Sequence, residues 1–320
     1  MSEFDEGEVL MVENSQAQRR AVDDERYCVS SDEVQRRINY ADAALALVNA
    51  APGDLRHRVL VRRVASETMT ADQAVAITAA RAGLVSTTAP FAIDEFEDYL
   101  IPKTLTLRNK LIDSAHPNGI DDSELFRRLE LEISRIRLVE LAIRPVEGVL
   151  DYDHMKEIHR RIFCDIFEWA GKERVGPDGA MIRFAPDAVN FAPGDSRAPM
   201  IKYCYFSGPE IADAASVIYQ QLAALARRTD LPRKEVLDHM AELAGEVQTI
   251  HAFRDGNSRA VYVFAMQFFE KVGFAALPAH FLPGGTLRER MIHARFQNHA
   301  TGGHEEYFHT FDSLLTSLSA

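Results

Sequence analysis

The sequence is poor in cysteine and lacks long apolar runs. Its 320 residues include three cysteines, Cys28, Cys164 and Cys204, whose odd number and wide spacing suit neither a disulfide framework nor a cysteine metal site. They are expected to be thiols in a reducing compartment. No apolar run approaches the ~20 residues that a membrane helix needs, and the first eight residues are acidic rather than basic. We therefore predict a cytoplasmic protein without membrane contacts, with export through an unfamiliar signal as the open alternative.

The chain is also short of basic residues. Its 36 lysines and arginines face 48 aspartates and glutamates, which gives a formal net charge of −12. No long basic stretch is present that could follow a phosphate backbone, so nucleic acid is excluded as a partner. With 47% hydrophobic residues, a chain of this length can bury a core and is expected to form one main domain with a smaller one attached. The sequence leaves the oligomeric state open.

Apolar residues recur at helical spacing along most of the chain, which predicts a mainly α fold. Residues 1–28 are polar and aperiodic, and are expected to form an acidic, mobile tail. A capping pattern at residues 30–33 opens a small unit of three helices, predicted at 30–48, 55–66 and 70–82. Further helices are predicted at 91–112, 122–143, 152–169, 208–228, 233–250, 257–272, 286–299 and 303–315.

One β-hairpin is predicted in this helical chain. The turn Pro177-Asp178-Gly179 lies between short extended runs within residues 175–186, a pattern typical of a hairpin. Most hairpins of this kind are surface features without a task of their own. Because no other β structure is predicted, the expected architecture is a helical bundle with one hairpin.

Residues 251–259 read His-Ala-Phe-Arg-Asp-Gly-Asn-Ser-Arg and combine several features of a phosphate site. The apolar run 257–269, which stops before Gly273, predicts that a helix begins just after Gly256. Unpaired N–H groups at a helix start bind anions. Gly256 lets the chain approach an anion without a Cβ, and Arg259 in the first turn can bind a phosphate with two hydrogen bonds.

Three other residues complete the predicted site. Asp255 offers one hard oxygen ligand to Mg²⁺, whose remaining ligands would be phosphate oxygens and water. His251 precedes the turn and is suited to take a proton from a hydroxyl near neutral pH. Phe253, between them, is expected to face the core. Taken singly, a histidine, aspartate or arginine near a helix start is usually a cap or a surface residue, so the prediction rests on their joint order.

This segment resembles the signature of the Fic (Fic/Doc) family, His-x-Phe-x-Asp/Glu-Gly-Asn-Gly-Arg-x-x-Arg. The matching positions are His251, Phe253, Asp255, Gly256, Asn257 and Arg259. Two positions depart from it, because Ser258 replaces the second glycine and Tyr262 stands in place of the second arginine. The resemblance continues in residues 103–111, which are similar to the family's Leu-x-Asn-Lys-Leu segment, and in residues 158–174, which are similar to its helix and Trp-Ala-Gly-Lys-x-Arg turn. Residues 87–320 are accordingly expected to form a Fic-like catalytic domain.

The resemblance implies a protein adenylyltransferase, which moves AMP, or another nucleoside monophosphate, from ATP or another triphosphate to a Tyr, Ser or Thr hydroxyl of a protein. His251 would be the general base, Asp255 would hold Mg²⁺, and Arg259 would neutralise charge on the leaving pyrophosphate. The nucleotide phosphates would bind at Gly256, Asn257, Ser258 and Arg259. The hairpin would be a flap whose edge binds an extended target segment by main-chain hydrogen bonds. The flap residues expected to dock the target are Met181, Ile182, Arg183 and Phe184.

Tyr262 leaves the donor open, because a tyrosine has a hydroxyl but no charge to hold terminal phosphates. Arg254 or Arg183 is a candidate to substitute for the missing arginine. Three classes of function follow, of which a Fic-type adenylyltransferase is favoured. The second is a Fic-like transferase with another nucleotide or phosphate-containing donor, such as a phosphocholine donor. The third is a catalytically silent protein that binds nucleotide.

Residues 29–86 resemble the small VbhA-type antitoxins that accompany bacterial Fic toxins, here joined to the same chain. Those antitoxins carry an inhibitory Ser/Thr-x-x-x-Glu-Gly/Asn motif, whose glutamate pairs with the second arginine of the Fic signature. The matching segment, residues 46–51, reads Ala-Leu-Val-Asn-Ala-Ala and has no glutamate. Since both partners of that ion pair are absent, the unit is expected to be a structural cap without inhibition of the glutamate type.

Overall fold

The computed structural model describes residues 29–317 except 86–90, Asp178, Thr229 and 283–285. Helices dominate the described part, so the prediction of a mainly α fold is confirmed. The predicted mobile tail, residues 1–28, lies outside the described residues. No helix of the described part combines the length and the apolar character needed to cross a membrane.

Three helices open the described chain at the predicted places. They are α1 (Ser31–Ala46), α2 (Leu55–Ala65) and α3 (Ala71–Arg81). Each begins after a side chain that accepts a hydrogen bond from a backbone N–H of the first turn, as Ser30 does from Glu33 at 3.2 Å. At α3 the cap is reciprocal, because Gln73 also accepts from the N–H of Thr70.

All three helices pack against the long helix α4 (Ser123–Ile143). Arg135 of α4 is almost fully buried there, and donates to Asp42 of α1 at 3.0 Å and to the carbonyl of Ala51 at 2.6 Å. Buried apolar side chains of α1, such as Ile38, belong to the same continuous core as those of the last helices. The first three helices therefore share one core with the rest of the protein.

The remaining helices surround the predicted site. They are α5 (Tyr152–Phe163), α6 (Ile211–Leu225), α7 (Arg233–Ile250), α8 (Asn257–Lys271), α9 (Thr286–Thr301) and α10 (Glu305–Leu314). The predicted helix 91–112 was wrong. This segment contains a 3-10 turn, Phe96–Tyr99, and is otherwise irregular. Pro102 interrupts it, and the side chain of Asn109 holds it in a loop by bonding Leu107 and Ile120 main-chain groups.

The flap is a hairpin, but its predicted register was wrong. β1 (Met181–Pro186) pairs antiparallel with β2 (Met200–Tyr205), with Met181 opposite Tyr205. Residues 187–199 connect the strands, so the turn around Pro177 precedes the hairpin, and Asp178 lies outside the described residues. The second strand was missed because a 13-residue connection carries no short turn signal. Asp187 stabilises the start of this connection by accepting from the N–H groups of Val189 and Asn190.

A second small sheet corrects the expectation that the flap is the only β structure. β3 (Phe274–Ala276) pairs antiparallel with β4 (Leu315–Ser317). Gly273, which has a positive φ of 86°, ends the turn after α8 and leads into β3. The end of the described chain thus returns to the end of α8.

Candidate active site

The loop between α7 and α8 carries the predicted site residues. Helix α7 ends as His251 adopts a left-handed conformation with φ 47° and ψ 57°, and α8 starts after Gly256, at φ 81°. The predicted helix start is therefore confirmed. Arg174 stabilises the strained residue, because its Nε donates to the His251 carbonyl at 2.8 Å while its Nη2 donates to the Phe206 carbonyl at 2.5 Å.

The side chain of Asn257 bonds the main chain of this loop. Its Oδ1 accepts from the N–H of Phe253 at 2.9 Å, and its Nδ2 donates to the Phe253 carbonyl at 2.6 Å. Phe253 itself is fully buried, as predicted. Because the Asn257 amide is used in this way, only its main-chain N–H remains for binding an anion.

His159, which was not among the predicted site residues, is buried and supports the loop from α5. His159 of α5 accepts from the N–H of Gly171 at Nδ1 (2.8 Å), so its Nε2 carries the proton and donates to the Asp255 carbonyl at 2.9 Å. Its ring stacks on Phe253 with centroids 3.9 Å apart. Burial lowers the pKa of His159 to about 3, which keeps this tautomer neutral. Gly256 fits above the same layer, since an added Cβ would overlap the ring of Phe163.

Arg259 lies inside the protein instead of at the surface. Only 3% of it is exposed, and its Nη1 donates to the carboxylate of Glu130 and to Ser134 Oγ (3.2 Å), both on α4. Its Nη2 lies 3.5 Å from Asp255 Oδ2, and the guanidinium covers the Phe163 ring. Burial raises the pKa of Glu130, and the charge of Arg259 opposes this. Glu130 and Ser134 are absent from the sequence-based site because no local pattern marks them.

Asp255 is the acidic group that remains accessible. Its side chain is 49% exposed. In the described part of the chain, no group of three or more His, Cys, Asp or Glu side chains could hold a metal ion. A single carboxylate is compatible with Mg²⁺ when substrate phosphates and water supply the other ligands. Asp255 therefore fits the predicted ligand role only together with a bound nucleotide.

His251 is surrounded by positive charge. Its ring stacks on Tyr205 at the end of β2, with centroids 4.2 Å apart and planes 15° apart. Burial, followed by the charges of Arg295, Arg174 and Arg183, lowers the pKa of His251 well below its usual value. The imidazole is therefore neutral at pH 7. Its Nδ1 is buried and has no hydrogen-bond partner among the described residues.

The two positions that depart from the Fic signature line one cavity. Ser258 and Tyr262 face a largely apolar space between α7, α8, α9 and α10, which Arg295 of α9 also lines. Tyr262 is buried between Tyr40 of α1 and Phe281, each ring 5.3 Å away and edge-on. Its hydroxyl has no partner within the described residues. Burial raises the pKa of Tyr262 well above its usual value, so the hydroxyl stays uncharged.

The flap presents an open strand edge. In the described part, β1 pairs only with β2, so its other edge is unpaired. Ile182 and Phe184 are exposed, Phe184 to 63%. Arg183 is exposed on the opposite face, and its guanidinium is 5.8 Å from the Phe296 ring centre. Met181, half-buried, begins the strand. Arg254, the other proposed substitute for the missing arginine, packs over Phe96 at 4.6 Å.

Residues 149–269 match the family model described as Fic/DOC family. The protein adenylyltransferase VbhT of Bartonella schoenbuchensis is 30% identical over 178 residues, which are 56% of this chain and 32% of that protein. The probable protein adenylyltransferase Fic of Salmonella typhimurium is 25% identical over 179 residues, which are 56% of this chain and 75% of that protein. This chain thus spans about a third of the length of the VbhT relative.

A solved structure shares the fold of this chain. The BepC protein of Bartonella tribocorum, solved with bound AMPPNP, superposes with a TM-score of 0.53 at 19% identity, covering 71% of this chain and 100% of that one. The matched family segment contains α5, the flap, α7 and the whole loop from His251 to Arg259. Residues 149–269, with the candidate site, are therefore similar to the Fic/DOC family.

Proposed function

We propose that this protein transfers a nucleoside monophosphate, AMP in the first instance, from a nucleoside triphosphate to a hydroxyl of a protein. The observation that carries the proposal is a neutral imidazole, His251, on the same short loop as the half-exposed Asp255 and the first turn of α8. The match to protein adenylyltransferases over the segment that holds this loop supports it.

The reaction is a substitution at the α-phosphorus. The hydroxyl oxygen of the target forms a bond to that phosphorus, the bond to the bridging oxygen of the β-phosphate breaks, and pyrophosphate leaves. The hydroxyl proton passes to His251, which releases it to solvent afterwards. Because the neutral state of His251 is maintained by burial and nearby arginines, it accepts a proton without first having to lose one.

The first turn of α8 binds the phosphates. By their position, the main-chain N–H groups of Asn257 and Ser258 have no carbonyl partner within the helix, and Gly256 allows a phosphate to approach them. Asp255 would hold Mg²⁺, which supplies positive charge against the phosphates when bound. Arg259 acts as a positioning residue for Asp255, since its own hydrogen bonds are directed to Glu130 and Ser134 of α4.

The free edge of β1 binds the target segment. An extended peptide would pair with the main-chain groups of residues 181–184 and bring its hydroxyl towards His251. Ile182 and Phe184 offer apolar contacts to this peptide. This mode of binding selects for an extended backbone more than for a particular side-chain sequence.

The first three helices serve as a structural cap of the VbhA type. Helix α1 packs against α4, α8 and the 3-10 turn Pro278–Phe281, and places Tyr40 on Tyr262. At its end, Arg288 donates to the Ala46 carbonyl at 2.9 Å and bonds the Asn49 side chain. Tyr262, which stands in place of the second signature arginine, is packed among aromatic rings, and this supports a cap that does not inhibit through a glutamate–arginine pair.

Labelled ATP tests this proposal. The protein is incubated with Mg²⁺ and a bacterial or host lysate, with ATP labelled at either the α- or the γ-phosphate. We expect protein-bound label from α-labelled ATP alone, and a loss of ~10²-fold or more in His251→Ala. The matched control, His309→Ala, changes an exposed histidine of α10 and retains activity.

Other outcomes identify the alternatives. Because Tyr262 carries no charge, the donor is a separate question, and a screen of other nucleotides and phosphocholine donors by intact mass follows if ATP gives no label. Transfer from one of these donors that depends on His251 would establish the second class. Nucleotide binding without transfer from any donor would instead establish a silent binding protein.

A further inference from the structure

Three arginines form a cluster around His251, namely Arg174, Arg183 and Arg295, here called the arginine cluster. All three lie close enough to lower the pKa of His251 by their charge. Within the described residues, no carboxylate forms an ion pair with any of the three, in contrast to Arg137 and Arg135 of α4. On a chain with a net charge of −12, an uncompensated positive cluster indicates a site for an anion.

The members of the cluster differ in what they can still bind. Arg174 uses Nε and Nη2 on two carbonyls of its own chain. Arg183 is exposed on β1 and has no fixed hydrogen bond among the described residues. Arg295 is both held and available: its Nη2 donates to the Tyr205 hydroxyl at 2.8 Å, while its Nε is buried and has no partner within the described part.

The position of Arg295 connects it to the gap in the Fic signature. Its guanidinium lies near the rings of Tyr205 and Phe296, at 5.8 and 5.3 Å from their centres. It lines the same cavity as Ser258, in the first turn of α8, and Tyr262, where the signature has its second arginine. A cation is therefore present in this cavity, but it comes from α9 instead of α8.

We propose that Arg295 binds a phosphate of the nucleoside triphosphate donor, and so supplies the charge that Tyr262 lacks. The inference rests on the proposed function and names a further binding residue for it. Tyr205 is a positioning residue, because it holds one nitrogen of the guanidinium and stacks on His251. In a cavity with mostly apolar walls, a hydrogen-bonded guanidinium interacts with phosphate more strongly than it would in water.

Binding measurements with nucleotides of different charge test Arg295. Calorimetry with the full chain and Mg²⁺ compares ATP with adenosine. We expect Arg295→Met to weaken ATP binding by ~10- to 100-fold, which is the loss of one or two charge-assisted hydrogen bonds, and adenosine binding by ~2-fold or less. The matched control is Arg290→Met on the same helix, which removes the same charge near the far end of α10 and leaves ATP affinity unchanged.

A conservative variant covers the case in which Arg295→Met does not fold. Tyr205→Phe keeps the stacked ring but removes the hydroxyl that holds the guanidinium, and should weaken ATP binding by ~3- to 10-fold while adenosine binding is retained. Equal ATP affinity in wild type, Arg295→Met and Tyr205→Phe would overturn the proposal, as would an equal loss for adenosine. Wild-type protein that binds ATP through Arg295 but transfers nothing would refute the proposed function alone.

Discussion

Arginine side chains on the two sides of the loop between α7 and α8 differ in whether acidic groups balance their charge. On one side, Arg259 belongs to the signature, yet its charge is balanced by Glu130 and by Asp255. On the other, Arg174 and Arg295 lie outside the signature and have no carboxylate partner among the described residues. A motif residue can thus be part of the protein interior while residues from other segments, the loop before β1 for Arg174 and α9 for Arg295, carry the unbalanced charge.

The largest effect on stability is expected at the ion pair between Arg259 and Glu130. Glu130→Ala leaves the guanidinium of Arg259 buried without its main partner, and should lower the free energy of unfolding by about 3–5 kcal/mol. Urea unfolding measures this. In the matched control, Asp230→Ala breaks an exposed pair with Arg228 and should change stability by ~0.5 kcal/mol or less. Similar losses in both variants would show that the interior pair is not a structural requirement.

Gly256 lies in the loop just before α8. Its replacement is expected to have the next largest effect on stability. Gly256→Ala combines a positive φ with overlap on Phe163, whereas Gly273→Ala has a similar φ of 86° and nothing near its Cβ. We expect ~1–2 kcal/mol of destabilisation in Gly273→Ala and ~1–3 kcal/mol more in Gly256→Ala. Thermal unfolding of both proteins isolates the overlap. If they unfold alike, the close approach of the loop to α5 is not constraining.

Two buried histidines should make the protein less stable in acid. Burial lowers the pKa of His159 and of His57 to about 3, so both are neutral when folded and gain protons below about pH 6.5 when unfolded. Their contribution to stability is therefore complete above pH 6.5 and is lost as the pH falls towards 3, by ~1.4 kcal/mol per histidine and pH unit. His57→Leu should reduce the slope in urea unfolding, and the exposed control His309→Gln should retain it.

Enzyme activity should respond to acid differently from stability. Because the pKa of His251 is lowered well below 6.5, this proposed base remains neutral at pH 6, and the proposed transfer activity should be close to its value at pH 7 while the protein stays folded. Rates of transfer measured beside circular dichroism from pH 7.5 to 5 test this. A decline in rate with a midpoint near pH 6.5 in fully folded protein would contradict a lowered pKa of the base.

The smallest effect is expected at Tyr262. Its hydroxyl is buried and has no partner in the described part of the protein, so Tyr262→Phe should be neutral, or stabilise by up to ~1 kcal/mol. ATP affinity should stay within twofold of wild type. Since Tyr205→Phe removes a hydroxyl of the same kind and is expected to weaken ATP binding, the two variants together locate the phosphate contact. Weaker binding in Tyr262→Phe alone would assign it to the signature position.

Local signals in the sequence predicted part of this site. The apolar run after Gly256, a residue with a positive φ in the structure, marks the start of α8. Capping residues mark the starts of α1 and α3. Each of these signals depends on neighbours within a few residues. Glu130 is 129 positions from Arg259, so its pairing follows from the packing of α4 against the loop. The flap register was mispredicted because its 13-residue connection carries no short turn signal, and segment 91–112 because Pro102 and the Asn109 hydrogen bonds outweigh its apolar pattern.

The interior that the first three helices share with the later helices limits how this protein can be regulated. Ile38 and Tyr40 belong to the core that also contains Tyr262, and Arg135 ties α4 to Asp42 of α1. A separately expressed regulator can be diluted, degraded or outcompeted. Moving these helices away would expose the core that they share with the later helices, so we expect any change in activity that they impose to come from a small displacement within an intact molecule.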